Sequence, residues 1–234
     1  MKNQFVNMSH FAFAIAILTV AVAAQAAPNG QNQKFVKKLY ADLLNRAPDR
    51  VESDKLVGLL NAGATRTQVA GAITSGNEYR NDQVQQWFVS LLNRPATAGE
   101  VNFVLNYIQN GATGDDVKAA VLGGDEYYRL AGGNNIGFLN KLFQDVLGRS
   151  IDPTSVVTLQ SLLGQGMARQ TLALLVLHSL EADQRDVTQF FQKLLSRLPS
   201  PVELASYSQM LQLGATDDFV IDLICGTDEY FQSK

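Results

Sequence analysis

The chain has 234 residues, 46% of them hydrophobic and 18% charged, with a formal net charge of −3. That is the balance of a globular protein long enough to bury a real core. A mildly acidic chain carries no electrostatic footprint for nucleic acid or for an anionic membrane surface.

The N-terminus differs from the rest. Lys2 precedes the apolar run "FAFAIAILTVAVAA", residues 11–24, which is followed by the small-x-small site "AQA" at 24–26. This layout predicts a secretory signal peptide over residues 1–26, cleaved after Ala26. The run falls short of the roughly 20 residues of a spanning helix. Cleavage removes one Lys and no acid, leaving 18 basic and 22 acidic residues. The single cysteine, Cys225, cannot form an internal disulfide, so export is not coupled to a disulfide framework.

From residue 35 onward one phrase recurs. "LLNR" ends at Arg46 and again at Arg94, "VLGR" at Arg149 and "LLSR" at Arg197. With each Arg as origin, four copies align without gaps. An aromatic stands six residues before (Tyr40, Phe88, Phe143, Phe191), a Gly 17 after (Gly63, Gly111, Gly166, Gly214), and a Glu 32 after (Glu78, Glu126, Glu181, Glu229). Fixed offsets of this kind mark a repeat architecture.

Each copy reads as helices. Apolar residues at helical spacing, such as Phe35, Leu39 and Leu43, precede the Arg. Asn45, Asn93, Gly148 and Ser196 stand where that helix stops, and Asn and Gly tolerate the left-handed conformation of a stop. Three residues after the Arg come the N-cap types Asp49, Thr97, Asp152 and Ser200. Thr97 with Glu100 and Ser200 with Glu203 match the capping box, and Asp49 with Glu52 is close to it. A second helix runs to the Gly. A third carries pairs four residues apart, such as Val69 and Ile73. A further helix starts near Asn77, Asp125, Ser179 and Thr227, and in copies one and three it leads into the next copy.

These signals predict an all-α fold of about a dozen short helices: four tandem repeats of about three helices each, arranged as two repeat pairs. Residues 27–130 would hold copies one and two, 131–137 a Gly/Asn-rich link, and 138–234 copies three and four.

Residues 35–80, "FVKKLYADLLNRAPDRVESDKLVGLLNAGATRTQVAGAITSGNEYR", resemble the bacterial domain of unknown function 4214, whose pattern is an aromatic–Leu–Gly–Arg phrase, a Pro–Asp turn, an internal Gly and a closing Ser-x-Glu-aromatic. Residues 84–129 and 187–232 match with small changes; residues 138–185 have Ala182 in place of the closing aromatic. Where that family often has a Trp in the second helix, Leu56, Val104, Leu159 and Tyr207 stand here. The resemblance implies an all-α domain of secreted or surface-associated bacterial proteins and no established activity. A fainter likeness is to phycobilisome linker domains, a role at odds with export.

The recurring Arg and Glu are the first candidates for a site. Each Arg lies past a helix end, where free carbonyls attract its charge, and each Glu lies in a first helical turn. Pairing of Arg46 with Glu78, Arg94 with Glu126, Arg149 with Glu181 and Arg197 with Glu229 is expected as a structural joint. Tyr79, Tyr127, Tyr128 and Tyr230 are candidate ligand-facing aromatics; the competing expectation is that one ring per copy packs between helices. The acidic helix starts at 113–116 and 216–218 lack the spacing of a calcium loop. His178 and Cys225 lack partners for a zinc or nucleophilic site. No catalytic, cofactor or metal residues emerge.

The sequence thus predicts an exported, non-enzymatic protein-interaction or scaffolding module, in the periplasm, on the cell surface or in the medium. Its partner would be a protein or a glycan of the cell envelope, with no nucleic acid and no stable membrane insertion after signal cleavage. A carbohydrate-binding protein is the alternative. A hydrolase, less favoured, would need two carboxylates converging in a cleft with one pKa raised.

Overall fold

The structure is a computed structural model that describes residues 29–233; the expected signal segment lies outside the described residues. These residues form helices and connecting turns, with no strand among them. No helix among them is long and apolar enough to cross a membrane.

Fourteen helices are described, against the expected dozen. The first segment supplies α1 (Asn29–Leu44), α2 (Arg50–Asn61) and α3 (Arg66–Thr74). The second supplies α4 (Asn77–Leu92), α5 (Ala98–Gln109), α6 (Gly114–Gly123) and the short α7 (Asp125–Leu130). The third supplies α8 (Asn135–Leu147), α9 (Pro153–Gly164) and α10 (Arg169–Leu177). The fourth supplies α11 (Leu180–Leu195), α12 (Pro201–Gln212), α13 (Asp217–Cys225) and α14 (Asp228–Gln232). The surplus over a dozen is α7 and α14. At the ends of segments one and three the corresponding turn runs straight on into α4 and α11.

Local chemistry sets these boundaries. Asn93, Gly148 and Ser196 adopt φ of 56°, 71° and 55° and end α4, α8 and α11; Asn45 follows α1 with φ 53°. A left-handed residue turns the chain out of the helix and frees it to start the next one. Asp49, Thr97 and Ser200 close full capping boxes with Glu52, Glu100 and Glu203. Thr65 with Gln68 and Thr113 with Asp116 close two more. Asp152 caps without the reciprocal arm, because Ser155 replaces the Glu.

The cores are not shared as the sequence suggested. Segment one does not pair with two, nor three with four. One apolar core joins segments one and four: Phe35, Leu39, Val69 and Ile73 pack with Val187, Phe191, Val220, Ile224 and Tyr230. A second joins segments two and three: Val84, Phe88, Val117 and Leu122 pack with Phe138, Leu142, Leu172 and Val176. The tightest pairings follow, α3 against α13 and α6 against α10. The two-pair expectation is corrected accordingly. A third helix with a buried face is covered here by another third helix, α3 by α13 and α6 by α10.

The two cores are the same junction built twice, 103 residues apart, the separation of Arg46 from Arg149 and of Arg94 from Arg197. Tyr230 donates to Asp42 and Tyr127 to Asp145, each at 2.8 Å. Their rings meet Phe35 and Phe138 edge-on at 6.0 and 6.1 Å. Arg66 donates to the Thr227 carbonyl over the Phe231 ring; Arg169 donates to the Gly123 carbonyl over the Tyr128 ring. Glycines allow the close approach. A Cβ on Gly123 would lie 2.5 Å from the Gln170 backbone nitrogen, and one on Gly226 would strike Thr67.

Gly123→Ala is therefore expected to destabilise the fold by about 1–3 kcal/mol, because backbone must move. Gly58→Ala, in α2 with open space around it, is expected to stabilise by about 0.5–1 kcal/mol. Urea unfolding of both variants checks the pair of signs.

Candidate functional site

The four Arg side chains sit at the turns between helices. Arg46 donates from Nε and Nη2 to Glu78, from Nη1 and Nη2 to Glu52, and from Nη1 to its neighbour's carbonyl at Ala47. All five guanidinium N–H groups are thus used, in two forks. Arg94 repeats this with Glu126, Glu100 and the Pro95 carbonyl. Arg197 repeats it with Glu229, Glu203 and the Leu198 carbonyl. Arg149 forks only to Glu181 and bonds the Ser150 carbonyl, since Ser155 offers no second carboxylate. Each guanidinium also lies over the aromatic six residues earlier, at 5.0–5.4 Å.

The structure thus brings together every predicted Arg–Glu pair. The second partner, Glu52, Glu100 or Glu203, was read from the sequence only as a capping residue. It does both jobs: one oxygen of Glu100 accepts from the Thr97 backbone while the carboxylate holds Arg94. These joints are only partly covered, with the Arg side chains 33–42% exposed. Hydrogen bonds from Arg46, Arg94 and Arg197 hold Glu52, Glu100 and Glu203 down at about 2. In the Arg46, Arg94 and Arg197 joints every guanidinium donor is engaged.

The tyrosines are corrected as ligand-facing candidates. Tyr127 and Tyr230 are fully buried and Tyr79 is 5% exposed. Tyr128 is half-buried against Phe138, with Arg169 over its face. Burial first, then the Asp145 carboxylate, raises the Tyr127 hydroxyl; burial first, then Cys225 and Asp42, raises that of Tyr230. They are ring anchors with a hydrogen-bonded tip. Cys225 is buried in the first core.

The chemistry left unspent lies where the twofold repetition fails. A cavity of about 630 Å³ opens among α3, α4, α6, α11, α12 and α13, and a gap of about 460 Å³ lies beside it. Trp87 lines both. At the position of Lys118 the other segments carry Ala70, Ala173 and Ile221. Lys118 is 15% exposed and bonds Asp115 at 2.6 Å and Asp217 at 3.2 Å. Burial alone would lower its pKa, but Asp217 and Asp115 outweigh that and keep it charged. Asp186, at the position of Gln83, lies across Lys118; burial pushes its carboxyl up to about 7. Asp222 is 8% exposed and accepts from Thr74 at 3.0 Å beside Gly71. Burial raises it to about 7 as well. Asp183 accepts from Gln212, and Asp218 from Gln83 at 2.7 Å. His178 ends α10 with Nε2 3.5 Å from Asp115. The mirrored places hold Leu177 and Ala119 where Thr74 and Asp222 stand.

Sequence reading missed this cluster, because its members lie up to 148 residues apart, as Thr74 and Asp222 do. One signal was present: a Lys where three aligned copies are apolar needs buried carboxylates nearby. No group of three or more His, Cys, Asp or Glu among the described residues is arranged to hold a metal ion.

The family model for a domain of unknown function, DUF4214, matches residues 20–83. No curated protein and no solved structure matches the chain.

Arg94→Ala is expected to lower the thermal midpoint by several degrees, and Arg149→Ala by less, because Arg149 holds one carboxylate rather than two. Arg94→Lys should recover little, since an ammonium cannot make two forks. The pH sign is also fixed. Glu100 has a folded pKa near 2 against an ordinary 4.5, so its contribution is complete above about 4.5 and fades as pH falls through about 2. The gap in melting temperature between wild type and Glu100→Gln should therefore close in strong acid, which calorimetry across that range would show.

Proposed function

We propose that the chain is an exported, non-enzymatic helical module of four copies of the DUF4214 domain, which binds a protein of the cell envelope. The observation that carries this reading is a division of labour among residues. Those that match between segments are spent on joints and cores. Those that differ gather around two adjoining spaces, Asp183 and Asp222 at the larger, Lys118 and Asp186 at the smaller, and Asp217 at both. Six aspartates line the larger space against the single Arg80, with Trp87, Ile108, Leu211 and Phe219 among its apolar contacts. A partner presenting basic side chains suits it, because Lys and Arg heads neutralise the carboxylates while their stems cover the rings. Scaffolding then follows from a rigid helical frame with one differentiated surface.

A hydrolase is the second reading, favoured by one observation: Asp186 and Asp222 are carboxyls of raised pKa, each lining a space with other carboxylates. Against it, Asp222 is locked to Thr74 and Asp183 to Gln212, which takes two of the cavity's carboxylates out of acid–base work.

Affinity capture with residues 27–234 from the organism's own envelope fraction tests the reading. The wild type should retain a protein that salt releases, and Asp183→Asn/Asp186→Asn/Asp217→Asn should not. Retention of a glycan instead, or equal retention by the triple variant, would contradict it.

A further inference from the structure

The chain crosses from its first half to its second through residues 131–134, between α7 and α8. At the other two segment boundaries it crosses without a break, since α4 and α11 run straight through. The middle boundary is seven residues longer, 55 from Arg to Arg against 48. Seven residues make two helical turns to within about 20°. A continuous helix through the link would therefore keep the phase found at α4 and α11. The turn that interrupts it is built on glycine. Gly132 and Gly133 hold φ of 94° and 67°, and their N–H groups donate to the Arg129 and Tyr128 carbonyls. A Cβ on Gly137 would strike the Ala131 carbonyl. A side chain at any of the three opposes the turn, and at Gly132 and Gly133 it also favours a helix.

What the turn joins does not depend on it. Each core draws residues from both halves. Polar ties between the halves, among them Thr74 to Asp222, Lys118 to Asp217, Arg169 to Asp125 and Tyr230 to Asp42, also lie outside it. The second half of another copy offers the same surfaces. The contacts nearest the turn fit as well. Tyr127 meets the Phe138 ring, 11 residues on, and donates to Asp145, 18 residues on. At 3.6 residues per turn those separations are about three and five turns, so the three residues share one face of a continuous helix. Two such helices, each about 34 Å long and running antiparallel, set Tyr127 of each copy against Phe138 and Asp145 of the other. We propose that the α7–α8 turn is an exchange hinge. Straightened into one helix from Asp125 to Leu147, it hands the second half of the chain to a second copy, and two chains close into a twofold dimer of two complete frames. The dimer presents the acidic cavity twice. The exchange rests on the shared cores and not on the binding reading, so the two stand or fall apart.

Light scattering after size-exclusion chromatography of jointly refolded chains tests this. The wild type should be mainly monomeric at micromolar concentration, because the short link holds the halves at an effective concentration of about 1 mM or more. Gly132→Ala/Gly133→Ala/Gly137→Ala should shift the monomer–dimer constant toward dimer by at least about a hundredfold, since Ala is the better helix former and resists the turn. Gly58→Ala/Gly99→Ala/Gly164→Ala, at helical glycines with open space around them, should stay monomeric. Cross-linking tells exchange from side-by-side association. Within the first triple variant, chains carrying Asp125→Cys are refolded with chains carrying Arg169→Cys, positions ion-paired between the halves. Cys225 is buried. A short bis-maleimide should then join the two different chains. Should the triple variant not fold, deletion of 131–137 replaces it, because it leaves the 48-residue spacing of the other boundaries and predicts the same dimer. A triple variant that folds as a monomer, a dimer whose chains are not joined, or failure of both variants to fold would overturn the exchange.

Discussion

The structure depends on one packing constraint: the third helix of each segment has an apolar face that its own segment cannot cover. In α3 that face carries Val69, Ala70 and Ile73; in α13 it carries Val220 and Ile224. Burying apolar surface is the main favourable term in folding, so these helices must meet another of their kind. They meet across the chain, first with fourth and second with third. The remaining arrangement follows. Gly123 and Gly226 are needed where one helix start closes on another's end. Arg66 and Arg169 tie those ends, and Tyr127 and Tyr230 anchor them with a hydroxyl on Asp145 and Asp42.

The Arg joints serve this constraint from outside the core. A segment can offer its third helix to a distant partner only if its own turns hold a fixed angle. Arg46, Arg94 and Arg197 fix their turns by gripping the start of the following helix, through Glu52, Glu100 or Glu203, and a later helix start 32 residues on; Arg149 grips only the later start. Single surface ion pairs contribute little. Bidentate forks with no idle donor, stacked on an aromatic ring, belong to a stronger class.

What could be read in the sequence was what is local. Helix stops at Asn93 and Ser196, the capping boxes and the Arg–Glu pairs all span 32 residues or fewer. Their chemistry is decided by neighbours on the chain, and repetition at fixed offsets exposes it. The core partnership was not legible, since four similar apolar faces do not say which covers which. Tyr79, Tyr127 and Tyr230 were ambiguous for a related reason: a ring at a fixed offset packs or protrudes according to a distant helix. The cavity carboxylates escaped because Lys118 and Asp217 are brought together by that same partnership.

Two levels of specification therefore coexist. The repeated residues define a frame, and the unrepeated ones place charge at the seam where its two halves meet. A frame of this kind holds only as a whole, because each core draws its residues from both halves of the chain. The most direct measurement is circular dichroism of residues 29–130 and 131–234, made separately and then mixed. Cores shared between segments one and four and between two and three predict weak, uncooperative helicity in each fragment alone, and a sharp melting transition once the two are combined. Two fragments that each melt cooperatively as monomers, unchanged by mixing, would contradict the shared cores and with them the account of the seam.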